Sequence, residues 1–254
     1  MAENKENLRY HIGEAENVAF QYETDLNAIE PLLPDCYRPA DKPVVTVAFG
    51  DYNKVDFLGN RGYKVASVTV AARFDGAHDH LEGDHVLVMF ENSTICIIGG
   101  REQSGVPKIY ADLAEFEIQP TGHLRCEASF WGQRLIQLDL EPMKKQNVLT
   151  RFAASKIINS RPWLTYKYVP TVIGPAEVEY PMIYPNDVKV EELWLGKSGE
   201  LSFGDPSKLR ENKFPKWWIR LAEVLNTLPV RSITRCVRFR GSSVLRADLC
   251  RRLT

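Results

Sequence analysis

The chain has 254 residues, of which 44% are hydrophobic and 26% are charged, and its formal net charge is −1. This length can bury a substantial core, and the composition is that of an ordinary soluble globular protein. Because positive and negative charges nearly cancel, electrostatics give no basis for binding nucleic acid or an anionic membrane. We therefore expect neither of these partners.

Cysteine spacing and the start of the chain indicate the compartment. The five cysteines are scattered, and no CxxC pair or dense framework is present, which is typical of free thiols in a reducing compartment. Residues 1–17 are polar and lack the apolar stretch of a signal peptide. No apolar run approaches the length of a membrane span. The sequence therefore predicts a cytosolic protein.

The first predicted elements are a short helix and a series of strands. Thr24-Asp25 is typical of a helix N-cap before LNAIEPLL. Strands are predicted where Val, Ile, Thr and aromatic residues are enriched with partial alternation. In the first half of the chain these segments are 43–52, 63–74, 84–92 and 94–100.

A histidine-rich segment, HDHLEGDH at 78–85, lies among these strands. His78, His80 and His85 are metal-ligand types, but their spacing matches no established zinc template. Flanking glycines indicate a hairpin loop. We predict a polar loop without a transition metal, and a metal-dependent enzyme that uses these three histidines is the weaker alternative.

The second half of the chain contains further strands and two longer helices. Strands are predicted at 124–133 and 233–240, and helices at 141–157 and 214–229. The helix at 214–229 is expected to be the main one, because apolar residues recur there at spacings of three and four. Many strands with few helices predict a mostly β (α+β) fold with an antiparallel β-barrel-like core. We expect one domain over residues 1–254.

Lys108 is the candidate catalytic residue. It follows Pro107 at the end of a segment that is mostly apolar. Most lysines at a strand end extend into solvent, but here Pro107 restricts the backbone and the surroundings predict an apolar cavity. Desolvation favours the uncharged amine, which attacks carbonyl carbons. The sequence has no GxSxG elbow for a serine nucleophile and no phosphate-binding glycine motif for a nucleotide. We predict no cofactor.

Four segments, which together span nearly the whole chain, resemble the acetoacetate decarboxylase family. The most specific segment is GGREQSGVPKIYADL, which carries a glycine-arginine-glutamate sequence followed by proline-lysine. The other three are QYETDLNAIEPLLPD, VEELWLGKSGELSFG and LNTLPVRSITRCVRFRGSSVLRADL. The resemblance implies a β-barrel-like core with peripheral helices, assembled into homo-oligomers.

The resemblance also implies chemistry at Lys108. Its amine would form a Schiff base with the substrate carbonyl, and the iminium would accept the electrons released when a β-keto acid loses CO₂. We expect Lys108→Ala to abolish turnover and to leave the melting temperature unchanged or raised. The side chains that we expect to contact substrate are Arg101, Glu102, Ser104, Tyr63 and Glu192.

Three positions depart from the family pattern. Ile109 stands where the family has a second lysine, and Val65 stands where an early strand of the family has a glutamate. Near Ala15 the family has an arginine that contacts substrate. These departures predict a lyase for a carbonyl substrate larger than acetoacetate. The resemblance implies a role in specialised metabolism, since the family includes members adapted to such work. The alternatives are an aldolase, dehydratase or cyclase on the same scaffold, and a non-catalytic barrel that binds small molecules.

Overall fold

The structure, a computed structural model, describes residues 8–254. Its strands, in chain order, are β1 (Arg9–Glu23), β2 (Tyr37–Pro39), β3 (Val44–Val55), β4 (Arg61–Asp75), β5 (His80–Glu91), β6 (Lys108–Tyr110), β7 (Asp112–Leu113), β8 (Glu117–Ile118), β9 (Leu124–Phe130), β10 (Gln133–Leu140), β11 (Lys144–Lys145), β12 (Trp163–Val169), β13 (Val178–Tyr184), β14 (Val188–Gly196), β15 (Gly199–Phe203), β16 (Ser232–Arg246) and β17 (Arg251–Arg252). The α-helices are α1 (Leu26–Ile29), α2 (Thr94–Ser104), α3 (Val148–Asn159), α4 (Pro206–Glu211) and α5 (Lys216–Leu225).

The strands form two sheets. The large sheet has the order β11-β14-β16-β1-β3-β4-β5-β12-β13-β17, with β2 also paired to β4 and β6 also paired to β5. The small sheet has the order β15-β10-β9-β7, with β8 on β9. Pairing is antiparallel except where β5 meets β6 and β12. The mostly β fold with few helices that the sequence predicted is confirmed, and the sheets are open and mixed.

Alternation along the central strands gives the large sheet two different faces. One face, the core face, presents Val47, Val68 and Phe90, all fully buried. It packs against the small sheet and α5, where Phe90 stacks on Trp218 with ring centroids 6.0 Å apart. The opposite face, the cavity face, presents Ala48, Ser67 and Met89 in the same strands, with helices α2 and α3 over it.

Helix α2 corrects the strand predicted at 94–100. The Ser93 side chain accepts a hydrogen bond from the Cys96 amide, which satisfies one of the free amides of the first helical turn. Gly105, with φ of 64°, ends the helix in the left-handed conformation. Capping at both ends therefore outweighs the strand preference of the isoleucines between them.

Two other helix predictions were correct in type but not in extent. The helix expected from 141 begins only at Val148, after Asn147 caps it by accepting a hydrogen bond from the Thr150 amide. The helix expected at 214–229 is α5, which is shorter than α2 and α3 and so is not the main helix. Within residues 8–254, no helix has both the length and the apolar character required to cross a bilayer.

The segment HDHLEGDH is a turn followed by the start of β5, so the prediction of a loop over its whole length was wrong. His78 and His80 are exposed, whereas His85 is buried and its Nδ1 lies 2.9 Å from the Leu164 carbonyl oxygen. The third ring thus takes part in interior packing and not in a cluster with the other two. Across 8–254, no three His, Cys, Asp or Glu side chains converge as metal ligands.

Candidate functional site

A cavity of about 1100 Å³ lies between the cavity face of the large sheet and helices α2 and α3. Among its lining residues are Lys108, Glu91, Tyr63 and Ser104. Its size matters because binding pockets for small molecules usually measure about 300–1,000 Å³. The cavity can therefore hold a substrate considerably larger than a small keto acid.

The pairing of β5 with β6 brings an acid and an amine together. Met89 pairs with Lys108 in parallel register, so both side chains project from the cavity face. Glu91 lies two residues beyond Met89 and therefore projects from the same face. The Lys108 Nζ atom is 2.7 Å from Oε1 of Glu91, and the two side chains are 12% and 1% exposed respectively.

Gly100 of α2 leaves the space that the lysine occupies. A Cβ atom at this position would lie 2.3 Å from Cε of Lys108 and 2.7 Å from its Nζ. At the neighbouring Gly99 a Cβ would meet nothing within 4 Å. Glycine at position 100, and not at 99, is thus required by the path of the Lys108 side chain across the helix.

The amine has polar neighbours that the prediction of apolar and aromatic surroundings did not include. Besides its pairing with Glu91, Nζ donates a hydrogen bond of 3.3 Å to the Cys96 carbonyl oxygen. Burial raises the pKa of the Glu91 carboxyl, and the charge and hydrogen bond of Lys108 oppose that rise. The Oε2 atom of Glu91 is buried and has no hydrogen-bond partner. The carboxyl is therefore a buried proton acceptor with one free oxygen.

Two tyrosines stand next to this pair. Tyr63 and Tyr52 pack edge to face with ring centroids 5.3 Å apart, and the Tyr52 hydroxyl donates to Oδ1 of Asn17. Burial raises the pKa of Tyr63 well above its usual value, and the nearby Glu91 charge adds to the rise. Both effects also raise the pKa of Tyr52. Both phenols thus stay neutral, and the Tyr63 hydroxyl can donate a hydrogen bond at the cavity wall, whereas the Tyr52 hydrogen is already donated to Asn17.

The other residues expected at the site fall into two groups. Tyr63 and Ser104 line the cavity together with Lys108. Arg101 and Glu102 lie on the exposed side of α2, and Arg101 donates a hydrogen bond of 3.1 Å to the Lys108 carbonyl oxygen. Glu192 pairs with Lys145 and does not line the cavity. Whether Arg101, Glu102 and Glu192 contact substrate stays a prediction.

Glu91 is the site residue that sequence reasoning missed. An acid was sought at Val65, where the family pattern has one, and the chain supplies it from another strand. A signal was present, since Glu91 is a charged residue at the end of the apolar segment DHVLVMFEN. Its distance from Lys108 could not be inferred from that segment, because it depends on the pairing of two strands separated by helix α2.

Comparison with known families shows which family the chain belongs to. The sequence model of the family described as "Acetoacetate decarboxylase (ADC)" matches residues 2–249. The chain belongs to the acetoacetate decarboxylase family. Among curated proteins, none matches the chain significantly in sequence.

Solved structures with the same fold include enzymes of different chemistry. An acetoacetate decarboxylase aligns with TM-score 0.76 at 20% identity, covering 96% of this chain and 88% of the other. The enduracididine biosynthesis enzyme MppR, complexed with pyruvate, aligns with TM-score 0.70 at 16% identity, and the alignment covers 97% of this chain and 90% of MppR. An acetoacetate decarboxylase-like enzyme from Sphingomonas wittichii RW1 aligns with TM-score 0.70 at 15% identity, and the alignment covers 96% of this chain and 92% of the other. At these identities the likeness shows the fold alone.

Proposed function

We propose that the chain is a Schiff-base-forming lyase of decarboxylase type, acting on a keto acid or another carbonyl compound larger than acetoacetate. The observation that carries this proposal is the amine of Lys108 at the cavity wall, 2.7 Å from the buried carboxyl of Glu91. Family membership supports an enzymatic role. The cavity volume supports a substrate larger than acetoacetate.

Glu91 would generate the nucleophile by taking a proton from the Lys108 ammonium. This transfer leaves two uncharged groups, and a poorly solvated site favours neutral groups over separated charges. The free amine then attacks the carbonyl carbon to form a carbinolamine. Glu91 returns its proton to the carbinolamine hydroxyl, which leaves as water. The resulting iminium cation lies beside the Glu91 carboxylate, where the ammonium had been.

The iminium would then serve as the electron sink. When the bond between the α-carbon and the carboxylate breaks, its electron pair moves toward the iminium nitrogen, CO₂ leaves and an enamine remains. Protonation of the enamine carbon and hydrolysis release the ketone and regenerate the Lys108 amine. The same enamine can attack an aldehyde, so aldol-type bond formation is the second candidate. A structure of MppR complexed with the condensation product of pyruvate and imidazole 4-carboxaldehyde supports this alternative.

We further propose that the enzyme is a cytosolic homo-oligomer in specialised metabolism and needs no cofactor. Leu149 and Phe152 on α3 support association, because they are 81% and 76% exposed and large exposed apolar patches often mark interfaces. Light scattering coupled to size-exclusion chromatography measures the assembly directly. A monomer at micromolar concentration would contradict the assembly proposal and leave the chemistry at Lys108 unaffected.

Borohydride trapping tests the chemistry. The protein is incubated with a panel of keto acids, ketones and aldehydes, reduced, digested and mapped by mass spectrometry. We expect a reduced adduct on Lys108 that is absent from Lys108→Met. No adduct with any compound, or an adduct confined to other lysines, would refute the proposal in favour of a non-catalytic binding barrel.

The two adjacent glycines provide a matched pair of variants for the same assay. Gly100→Ala places a methyl group where the Lys108 side chain lies, so we expect trapping at Lys108 to fall at least about tenfold. Gly99→Ala has space for its methyl group and should trap at the wild-type rate. Equal trapping by both variants would show that the observed position of Lys108 is not the reactive one.

A further inference from the structure

A row of uncharged polar side chains crosses the cavity face close to Lys108. Gln21 pairs with Thr46, and Thr46 pairs with Thr69, so these three residues form one row across β1, β3 and β4. Ser67 lies in the next row, which continues through Met89 to Lys108. We call Gln21, Thr46, Ser67 and Thr69 the polar strip, and all four line the cavity.

The hydroxyl groups of the polar strip are largely unsatisfied. Thr69 and Ser67 are 5% and 7% exposed, and neither hydroxyl has a hydrogen-bond partner among residues 8–254. The Gln21 Nε2 atom donates to the Thr46 hydroxyl oxygen at 3.2 Å, which leaves the amide oxygen free to accept. Neither the Ser67 nor the Thr69 hydroxyl oxygen is sealed off by protein atoms, so both are open to the cavity. The polar strip therefore presents hydrogen-bonding groups that a bound molecule can satisfy.

The distance from Lys108 defines where these groups would meet a substrate. Neighbouring rows are about 7 Å apart along the strands, and neighbouring strands are about 4.8 Å apart. Thr69 is one row and two strands away from Lys108, so their backbones are separated by about 12 Å. The Lys108 amine lies against Glu91, which is one row away from Lys108 on the side opposite to Thr69, so the lysine side chain does not shorten this distance. A carbonyl compound held at the amine would thus need a chain of about ten bonds to bring a group to the polar strip.

The charges around the polar strip indicate whether the distal part of a substrate carries a carboxylate or a neutral oxygen group. The strip itself carries no charge, and Lys108 is already paired with Glu91. The row ends at Arg235, which pairs with Gln21 in register and lines the outer part of the same cavity, where it is exposed to solvent. A buried carboxylate requires a buried cation as partner, whereas a hydroxyl or carbonyl group is satisfied by Thr, Ser and Gln side chains. The strip therefore matches neutral oxygen groups.

We propose that the polar strip binds hydroxyl groups on the extended, uncharged distal part of a substrate whose carbonyl carbon reacts at Lys108. This inference rests on the proposed function for the reacting end of the substrate and adds the recognition of its distal part. A site that hydrogen-bonds a substrate hydroxyl discriminates against the analogue that lacks it, because its polar groups are then buried without partners.

Three ketones of similar length test this recognition: 11-hydroxyundecan-2-one, undecan-2-one and 10-oxoundecanoate. The readout is the concentration that gives half-maximal borohydride trapping at Lys108. We expect this concentration to be about tenfold lower for the hydroxyketone than for undecan-2-one, as one or two hydrogen bonds would provide. The double variant Thr46→Val/Thr69→Val should lose this preference.

Controls separate failure of the strip from failure of the chemistry. Thr121→Val, on an exposed turn far from the cavity, should keep the preference. Calorimetric titration of the non-covalent complex with Lys108→Met, which keeps the polar strip, should still favour the hydroxyketone even if the wild type forms no adduct. Equal affinity for the two neutral ketones, or a preference for 10-oxoundecanoate that survives the double variant, would overturn the proposal.

Discussion

The two faces of strands β3, β4 and β5 are built from different side chains and have different surroundings. The core face presents residues such as Val47, Val68 and Phe90, which interlock with the small sheet and α5. The cavity face presents Ala48, Ser67 and Glu91, which surround open space. The same backbone therefore supports close apolar packing on one side and unsatisfied polar groups on the other. Stability should depend mainly on the first face, and chemistry on the second.

Truncating one residue on each face tests this division. Phe90→Ala removes a ring that stacks on Trp218, and should lower the free energy of unfolding by about 3–5 kcal/mol. Ser67→Ala removes only a hydroxyl that faces the cavity, and should change it by less than about 1 kcal/mol. Urea unfolding at constant pH measures both values. Comparable losses would show that the cavity face is packed as tightly as the core face.

The ion pair on the cavity face should make stability depend on pH when one partner is removed. Lys108→Met leaves Glu91 buried without its cation, and this should cost about 3 kcal/mol at pH 8. Burial raises the pKa of Glu91, so the folded state binds its proton more readily than the unfolded state. The loss should therefore shrink as the pH falls and the carboxyl becomes neutral.

The double variant Lys108→Met/Glu91→Gln provides the control for this prediction. It removes the buried charge, so its stability should exceed that of Lys108→Met at pH 8 and vary little with pH. Because of the ion pair, we expect loss of Lys108 to lower stability. This differs from the sequence-based expectation that the melting temperature would be unchanged or raised. A flat pH profile for Lys108→Met would show that Glu91 is solvated in solution.

His85, on the core face of β5, should make wild-type stability depend on pH in the acidic range. Burial lowers the pKa of His85 to about 4, and the hydrogen bond with the Leu164 carbonyl opposes this only in part. The unfolded chain therefore binds more protons between the ordinary histidine value of about 6.5 and pH 4. Stability should fall by roughly 2–3 kcal/mol as the pH drops through that window.

Two substitutions to glutamine separate this effect from general acid unfolding. His85→Gln should remove the histidine contribution to the pH profile, whereas His123→Gln, at an exposed position, should keep the wild-type slope. The measurement is the free energy of unfolding at several pH values between 4 and 7. Identical slopes for all three proteins would show that His85 is protonated without cost in the folded state.

The sequence by itself determined the secondary-structure class, the family and the identity of the candidate nucleophile. Alternating Val, Ile and Thr segments are local signals, and so predicted β3, β4 and β5. The segment that contains Lys108 has several specific residues in the same order as the family, and these indicated the family. The match over residues 2–249 shows that the chain belongs to it. That residues 1–254 form one domain stays a prediction.

Only the tertiary structure decided what surrounds that lysine. Caps at Ser93 and Gly105 turned the stretch before Lys108 into a helix, and the chain then returned to pair β6 with β5 in parallel. This return sets Glu91 against the amine, and pairing across β1, β3 and β4 aligns Gln21, Thr46 and Thr69. Local propensity carries no information about which distant strands pair or in which register. The register alone places these side chains on one wall of the cavity.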